Sequence, residues 1–143
     1  MKPVLTHLAL GARDLDRTIA FYQKHVRLHV VHERTDGGVR VVWLGERDHD
    51  VNFVIVLFQV TDLPPPGPTT LRHLGFAVAS RAEVDQAADR ARGDGVLVIE
   101  PVYAGPIVGY FCIVSDPDGN QVEFSFGQPI NPRALSPEKP SPR

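Results

Sequence analysis

The sequence has one cysteine, no excess of basic residues and no long apolar run, and each shortage excludes a class of protein. Cys112 has no second cysteine to pair with, which favours a reducing, cytoplasmic setting. Lys+Arg 15 against Asp+Glu 17 gives a net charge of −2, so the chain lacks the basic surface that neutralises a phosphate backbone. The longest apolar run, Phe53–Phe58, is far shorter than the roughly 20 residues that span a bilayer. The composition therefore predicts a protein without nucleic-acid or membrane partners.

Length and proline distribution predict one domain followed by a tail. The 143 residues are 43% hydrophobic and 22% charged, as in ordinary soluble domains. Of the 13 prolines, four lie between Leu63 and Pro68 and five lie from Pro129 onward. Proline lacks the N–H that helices and sheets require, so we interpret residues 63–69 as a linker and 128–143 as a loose tail. The remaining domain, residues 1–127, divides into modules at about 1–62 and 70–127.

The two halves resemble each other. Each opens with an apolar strand that has histidine in its third place: His7 in Leu5–Leu10 and His73 in Leu71–Phe76. A helix and about three strands follow in each half, so the sequence predicts an α+β fold built from a repeated β-α-β-β-β unit. Neither unit has a second layer that would bury its sheet alone, and we therefore expect the halves to pair, within one chain or between two chains.

Local signals place the helices and one turn. Apolar residues from Leu15 to Val26 recur at steps of three and four, which is typical of one buried helix face. Ser80 followed by Glu83 is a capping box that begins the second helix, and Gly93 ends it. The sequence Asp116–Gly119 (DPDG) predicts a tight turn before the last strand, Gln121–Phe126.

Strand alternation selects three candidate metal ligands. Side chains on a strand alternate between its two faces, and one face of each of three strands carries a single ligand-type residue among mostly small neighbours. These residues are His7, His73 and Glu123. Two histidines and one carboxylate with open positions are typical of non-haem Fe(II), which we favour as the cofactor, and they also suit Mn(II), Ni(II) or Zn(II).

The other histidines have a simpler interpretation. His25, His29, His32 and His49 are predicted to be surface or loop residues. His29 and His32 are three apart on a predicted strand, a spacing that sends side chains to opposite faces and argues against a shared ion.

Motifs along the chain resemble the vicinal oxygen chelate superfamily, which includes glyoxalase I, bleomycin-resistance proteins, fosfomycin-resistance enzymes and extradiol dioxygenases. The resemblance covers residues 4–127 and rests on four segments in order: His7–Leu10, Asp14–Tyr22, Arg72–Phe76 and Asp116–Phe124. It implies two βαβββ modules whose mixed sheets curl round a metal that chelates two neighbouring substrate oxygens. His7, His73 and Glu123 fall on the ligand positions of that family.

Departures from the family motifs bear on the activity. Glyoxalase I has a further glutamate in the last strand of its first module, where this chain has Val56 in the matching place. Gln59 is a candidate fourth ligand, as in the related epimerases. The fosfomycin enzymes have a hydroxyl residue and a tyrosine where this chain has Ala9 and Ile113, and extradiol dioxygenases also have that tyrosine. The plain His/His/Glu set matches the extradiol enzymes best.

The leading hypothesis is therefore a metal-dependent enzyme that acts on a small oxygen-rich organic substrate, with chemistry nearest to extradiol dioxygenases. In this hypothesis Glu123 and Tyr110 are the catalytic residues, Tyr110 donating a hydrogen bond to a bound oxyanion. Trp43, Tyr103 and Tyr110 are predicted to line the substrate pocket, and a homodimer is expected. Two alternatives stay open: a glyoxalase-type lyase or isomerase, and a metal-free protein that sequesters a drug or metabolite.

Overall fold

The computed structural model describes residues 2–47, 51–65 and 72–130, and each half of the chain contributes one helix and four strands. The strands are β1 (His7–Ala12), β2 (His29–Asp36), β3 (Val39–Gly45), β4 (Val54–Gln59), β5 (His73–Ala77), β6 (Leu97–Tyr103), β7 (Tyr110–Ser115) and β8 (Gln121–Phe126). The helices are α1 (Leu15–Phe21), which continues into a π-helical turn at Tyr22–Val26, and α2 (Arg81–Gly93).

Both sheets have the same topology. The first sheet has the order β1-β4-β3-β2 and the second has the order β5-β8-β7-β6. In each, the first strand of the module pairs in parallel with the last strand. The outer pairs, β2 with β3 and β6 with β7, are antiparallel. The predicted fold class, two βαβββ modules with mixed sheets, is confirmed.

The helices begin where the sequence predicts, because each has a polar N-cap. The Asp14 side chain accepts a hydrogen bond from the Arg17 N–H, and Ser80 Oγ accepts one from the Glu83 N–H. Glu83 in turn accepts from the N–H of Ala79 at 3.0 Å, one residue before the N-cap, so its side chain folds back over the helix start as the predicted box requires but with a different donor. The first helical stretch is less regular than predicted, since its last turn is π-helical and ends at Arg27 in a left-handed conformation.

A β-bulge in β2 changes the interpretation of two histidines. His29 lies opposite Gly45 and His32 lies opposite Trp43, because the register shifts between Val30 and His32. Gly45 and Trp43 are two residues apart on β3, so His29 and His32 share a face. The prediction that they point to opposite faces was wrong. His25 is buried beside Phe21 rather than exposed, and His49 lies outside the described residues.

The tight turn before β8 is confirmed and has a larger role than the sequence indicates. The Gly119 N–H donates to the Asp116 carbonyl at 3.0 Å, and Gly119 has φ 86°. Asp116 and Asp118 are both buried. Asp116 Oδ1 accepts from the backbone N–H groups of Asp118 and Asn120, both at 2.9 Å, so the carboxylate organises the turn.

The same two aspartates bind groups at the start of the chain. The Tyr22 hydroxyl donates to Asp116 Oδ2 at 2.8 Å, and the Thr18 hydroxyl donates to Asp118 Oδ2 at 3.1 Å. Arg13 donates to Asp118 Oδ1 through its backbone N–H and through Nη1, at 3.1 and 3.0 Å. Burial, and next the Asp116 carboxylate, raise the pKa of Tyr22 well above its usual range, so its hydroxyl stays a donor.

The chain forms two compact units that do not follow the predicted boundary. The first contains residues 1–72 together with 115–120, and the second contains 73–114 and 121–143. The turn before β8 thus belongs to the first unit. The predicted linker (63–69) and tail (128–143) lie largely outside the described residues. Within the described ranges, no helix has the length and apolar character needed to cross a membrane.

Candidate metal and substrate site

His73 and Glu123 come together on the second sheet. β5 and β8 are parallel neighbours, with Gly75 opposite Glu123 and His73 two residues earlier on the same face. His73 Nε2 lies 3.5 Å from Glu123 Oε2. Glu123 is only 5% exposed, while a side chain built at Gly75 would meet nothing within 4 Å. A buried carboxylate therefore lies beside an imidazole and open space.

The separation of these two groups fits metal ligation better than a direct ion pair. Charge-assisted N–H···O bonds are usually about 2.7–2.9 Å long. Two donors that each lie about 2.1 Å from one cation, at right or tetrahedral angles, are about 3.0–3.4 Å apart. The observed 3.5 Å is close to the second value. The nitrogen and oxygen donors present thus fit a divalent cation.

His7 occupies the corresponding place in the first unit. It opens β1, as His73 opens β5, and lies opposite Val54 on β4. Thr6 Oγ1 and His7 Nδ1 are 2.9 Å apart, so a metal would approach the other ring nitrogen, Nε2. No group of three His, Cys, Asp or Glu side chains in metal-binding geometry occurs within residues 2–47, 51–65 and 72–130. The joint ligand set of His7, His73 and Glu123 therefore stays a prediction.

The register identifies the residue of the first unit that corresponds to Glu123. Glu123 lies opposite Gly75, two residues after His73, and Val56 lies opposite Ala9, two residues after His7. Val56 is the matching place, as the sequence predicts, and it supplies no ligand. Gln59 is three residues further along β4 and lies opposite Ala12. Strand alternation places Gln59 on the other face from Val56, which argues against its role as a fourth ligand.

Tyr110 requires a correction. Its hydroxyl donates to Asp85 Oδ1 on α2 at 2.6 Å, and this hydrogen bond is the main cause of a raised pKa for Tyr110. Cys112, two residues further along β7, also faces α2, with Sγ 3.7 Å from the Val84 carbonyl oxygen. Tyr110 therefore lies on the helix-packed face of the second sheet, so we drop its predicted role as oxyanion donor.

Tyr103 lies beside Tyr110, so it does not line a pocket on the face of the second sheet that carries His73 and Glu123. The two residues are directly opposite each other on β6 and β7. The guanidinium of Arg81, on α2, lies 5.1 Å from the centre of each ring. These contacts make Tyr103 and Tyr110 part of the surface round α2. Arg81 was missed because nothing in the sequence relates a helix arginine to two distant tyrosines.

Trp43 lies on the same face of the first sheet as His7. It is opposite Val56, which is opposite Ala9, two residues after His7. Trp43 is 36% exposed, and its ring centre lies 4.9 Å from that of His32. The predicted position of Trp43 beside a substrate is compatible with this arrangement.

Cys112 is buried in the second unit, and its thiol has no place in this site. Burial raises the pKa of the thiol to about 11. Cys112 is therefore protonated at neutral pH.

Comparison with known proteins agrees with the repeated fold. A family model for the Glyoxalase/Bleomycin resistance protein/Dioxygenase superfamily matches residues 4–124. The chain belongs to this superfamily. An uncharacterized protein of Pseudomonas aeruginosa is 43% identical over 137 residues, which cover 92% of this chain and 94% of that protein. The superfamily thus accounts for nearly the whole described part of the chain.

Solved structures of the superfamily share the fold at lower identity. A possible glyoxalase from Bacillus cereus is 24% identical, with a TM-score of 0.66, covering 85% of this chain and 97% of its own. The fosfomycin resistance protein FosX from Listeria monocytogenes is 21% identical, with a TM-score of 0.71, covering 90% and 96%. A FosX variant, 22% identical with a TM-score of 0.70 and covering 95% and 100%, was solved with Mn(II) and 1S,2S-dihydroxypropylphosphonic acid. At these identities the likeness shows the fold alone.

Proposed function

We propose that the chain is a metal-dependent enzyme of this superfamily that acts on a small oxygen-rich organic molecule, with chemistry nearest to extradiol-type dioxygenases. His7, His73 and Glu123 are the proposed ligands. The observation that carries the proposal is the pair of His73 and Glu123, 3.5 Å apart with a buried carboxylate. A buried carboxylate is costly unless a cation or hydrogen-bond donors balance its charge.

Each residue has a distinct role in this proposal. Glu123 supplies the negative charge that holds the cation, and the two histidines supply neutral nitrogen donors. Gly75 and Ala9 are small neighbours of His73 and His7, so substrate oxygens have room beside the ligands. Fe(II) is the favoured ion, with Mn(II), Ni(II) and Zn(II) as alternatives. When bound, such an ion would chelate two neighbouring substrate oxygens and supply the Lewis-acid or redox chemistry.

The place of Val56 favours the dioxygenase interpretation over a glyoxalase-type lyase. The resemblance to glyoxalase I implies a carboxylate in the last strand of the first module, and this chain has Val56 opposite Ala9 instead. A cation with three protein ligands has more coordination positions open for substrate and dioxygen than a cation that also binds this further carboxylate.

The experiment combines metal analysis with oxygen consumption. The protein is purified without added metal, assayed for metal content, and then given Fe(II) without oxygen before catechols and oxygen are added. Fe(II)-dependent oxygen uptake is expected, and His7→Ala should abolish it. His29→Ala is the matched control, because His29 is another exposed strand histidine of the first sheet. A protein that binds no divalent ion, or whose His7→Ala variant keeps full activity, would contradict the proposal.

Two other outcomes separate the alternatives. Metal-dependent turnover of a substrate without oxygen uptake would favour a lyase or isomerase. Tight binding of an aromatic drug by the metal-free protein, with no turnover, would favour a sequestering protein. A homodimer in the cytoplasm is part of the proposal, and light scattering of the purified protein tests its oligomeric state.

A further inference from the structure

One face of the second sheet carries His73 and Glu123, and we name it the ligand face. The opposite face packs against α2, as shown by Tyr110 and Cys112 of β7, which both contact that helix. Side chains alternate along a strand, so Phe111, which lies between these two residues, points away from α2. Phe111 therefore belongs to the ligand face.

The turn before β8 fixes how β7 lies against β8. The Asp116 N–H donates to the Asn120 carbonyl at 2.8 Å, and the two strands are neighbours in the sheet. Each step back along β7 corresponds to one step forward along β8, which places Ile113 opposite Glu123. Phe111 is the next residue of β7 on the ligand face. The buried carboxylate is therefore bordered on this side by two apolar side chains.

Two β-bulges in β6 extend this apolar surface. The register shifts between Leu97 and Ile99 and again between Ile99 and Val102, so that Ile99 lies opposite Ile113 and Val102 lies opposite Phe111. Directly opposite residues on antiparallel strands share a face, and Ile99 and Val102 thus both lie on the ligand face. In a regular strand, residues three positions apart would point to opposite faces.

Ile99 and Val102 keep much of their apolar surface accessible to solvent. Ile99 is 39% exposed and Val102 is 42% exposed, and Phe111 beside them is half-buried. A ligand group that covers these side chains removes apolar surface from water, which favours binding. Because this surface adjoins Glu123, one molecule can lie on it and also reach the proposed cation.

The same four strands offer no positive side chain to a ligand. None of the residues of β5, β6, β7 and β8, all within the described part of the chain, is lysine or arginine. Their second carboxylate, Glu100, already binds Arg92 of α2. An anionic group on this surface would lose its hydration without gaining a cationic partner, so an uncharged hydrocarbon group suits it better.

The strand spacing indicates the reach of this surface from the carboxylate. Phe111 is on β7, one strand spacing or about 5 Å from β8, and Ile99 is on β6, two spacings or about 10 Å from it. A short alkyl chain attached to a chelating diol covers such a distance.

Resting on the proposed function, we infer that Ile99, Val102 and Phe111 determine specificity. They select a substrate whose two chelating oxygens are joined to an uncharged apolar group, such as a short alkyl chain. The oxygens lie at the cation held by His73 and Glu123, and the apolar group lies across β7 and β6.

The test compares three probes that share one chelating group. They are catechol, 4-butylcatechol and 3-(3,4-dihydroxyphenyl)propionate, whose side chain is of similar length but ends in a carboxylate. Binding is measured by titration calorimetry without oxygen, in the Mn(II)-loaded and the metal-free protein. We expect 4-butylcatechol to bind about tenfold more tightly than either of the other probes. Its heat-capacity change on binding should be more negative than that of catechol, because more apolar surface is buried.

The double variant Ile99→Thr/Val102→Thr should reduce this preference to about threefold or less. Both positions are exposed and threonine is a good strand former, so the variant should fold as the wild type does, which thermal unfolding checks. Val39→Thr is the matched control, since Val39 is 40% exposed on the first sheet, and it should leave the preference unchanged.

Three results would overturn the inference: equal affinity of 4-butylcatechol and catechol, a tenfold preference that survives in the double variant, or an acid that binds as tightly as 4-butylcatechol. Binding of none of the probes at millimolar concentration would also overturn it.

The outcome is distinguishable from failure of the proposed function. If the preference for the butyl group holds in the metal-free protein but Fe(II) produces no oxygen uptake, the apolar surface stands and the enzyme proposal fails. If Fe(II) supports oxygen uptake with catechol while the butyl group has no effect on affinity, the enzyme proposal stands and this inference fails.

Discussion

The two sheets share strand order and register, yet they carry different chemistry at equivalent places. In the second sheet, the position opposite the small residue of the first strand is Glu123, buried beside His73. In the first sheet, the equivalent position is Val56, in a cluster of valines next to the exposed Trp43. The second sheet thus holds two of the three proposed ligands, His73 and Glu123, whereas the first sheet offers His7 alone.

The difference between the sheets is tested most strongly by placing glutamate, the residue of the second sheet, at the equivalent position of the first sheet. Val56→Glu places a carboxylate in the valine cluster, where Val56 is 5% exposed, and we expect it to cost about 3 kcal/mol or more of stability. Urea unfolding measures the loss. Val39→Glu is the control, because Val39 is 40% exposed on the neighbouring strand and should cost under about 0.5 kcal/mol. If the two variants were equally stable, Val56 would not be the buried apolar position that the first sheet has in place of Glu123.

The complementary change removes the carboxylate from the second sheet. Glu123→Gln keeps the shape but loses the charge, and Mn(II) should bind at least about 100-fold more weakly, or about 2.7 kcal/mol. Titration calorimetry of the metal-free protein gives the affinity. Glu100→Gln, which removes an exposed carboxylate of β6 that pairs with Arg92, should have no effect on it. Unchanged affinity in Glu123→Gln would exclude this residue from the ligand set.

The first unit depends on a hydrogen bond that has no counterpart described in the second. Tyr22→Phe leaves the buried Asp116 carboxylate without the hydroxyl donor and should cost about 2 kcal/mol at pH 7. Tyr103→Phe, on a half-exposed ring, should cost under about 0.5 kcal/mol. Equal losses in the two variants would contradict a structural role for this bond.

The pH dependence of the Tyr22 variant has a defined sign. Burial, followed by Asp116, raises the pKa of Tyr22 in the folded protein, while the unfolded chain ionises near its usual pKa of about 10. The contribution of Tyr22 is therefore complete below about pH 10 and falls by about 1.4 kcal/mol per pH unit above it. The stability gap between the wild type and Tyr22→Phe should narrow above pH 10. Cys112 titrates in both proteins, so the difference isolates Tyr22.

The smallest expected effect is the loss of stability when a helix N-cap side chain is removed. Ser80→Ala should cost about 1 kcal/mol, since the Glu83 N–H loses its acceptor, and Asp14→Ala should cost a similar amount at α1. Thermal unfolding measures both. Ser80→Asp should restore most of the loss, and a failure to do so would contradict capping as the cause.

Much of this arrangement could be predicted because its signals are local. The capping box at Ser80, the turn at Asp116–Gly119 and the ends of α2 depend on residues within a few positions of one another. The place of Val56 could be predicted since the repeat carries the register of one module over to the other. Alternation along β5 and β8 likewise brought His73 and Glu123 to one face.

The errors arise where local periodicity is interrupted or where distant segments meet. The bulge at Val31 shifts the alternation by one residue, so His29 and His32 moved to a common face. Tyr110 was assigned to the site from its chemistry, although its position two residues before Cys112 places it under α2. The buried bonds of Asp118 join segments about a hundred residues apart, and no pattern in the sequence indicates such a pairing.

Residues 115–120 belong to the first compact unit, and this affects any attempt to express the first half of the chain alone. A fragment that ends before Arg72 would keep Arg13, Thr18 and Tyr22 but lose the acceptors of their hydrogen bonds. Such a half-gene product should be insoluble when expressed alone and should be rescued by co-expression of the remainder. The first half therefore depends on the second for its stability, because Asp116 and Asp118 of the second half accept hydrogen bonds from groups of the first.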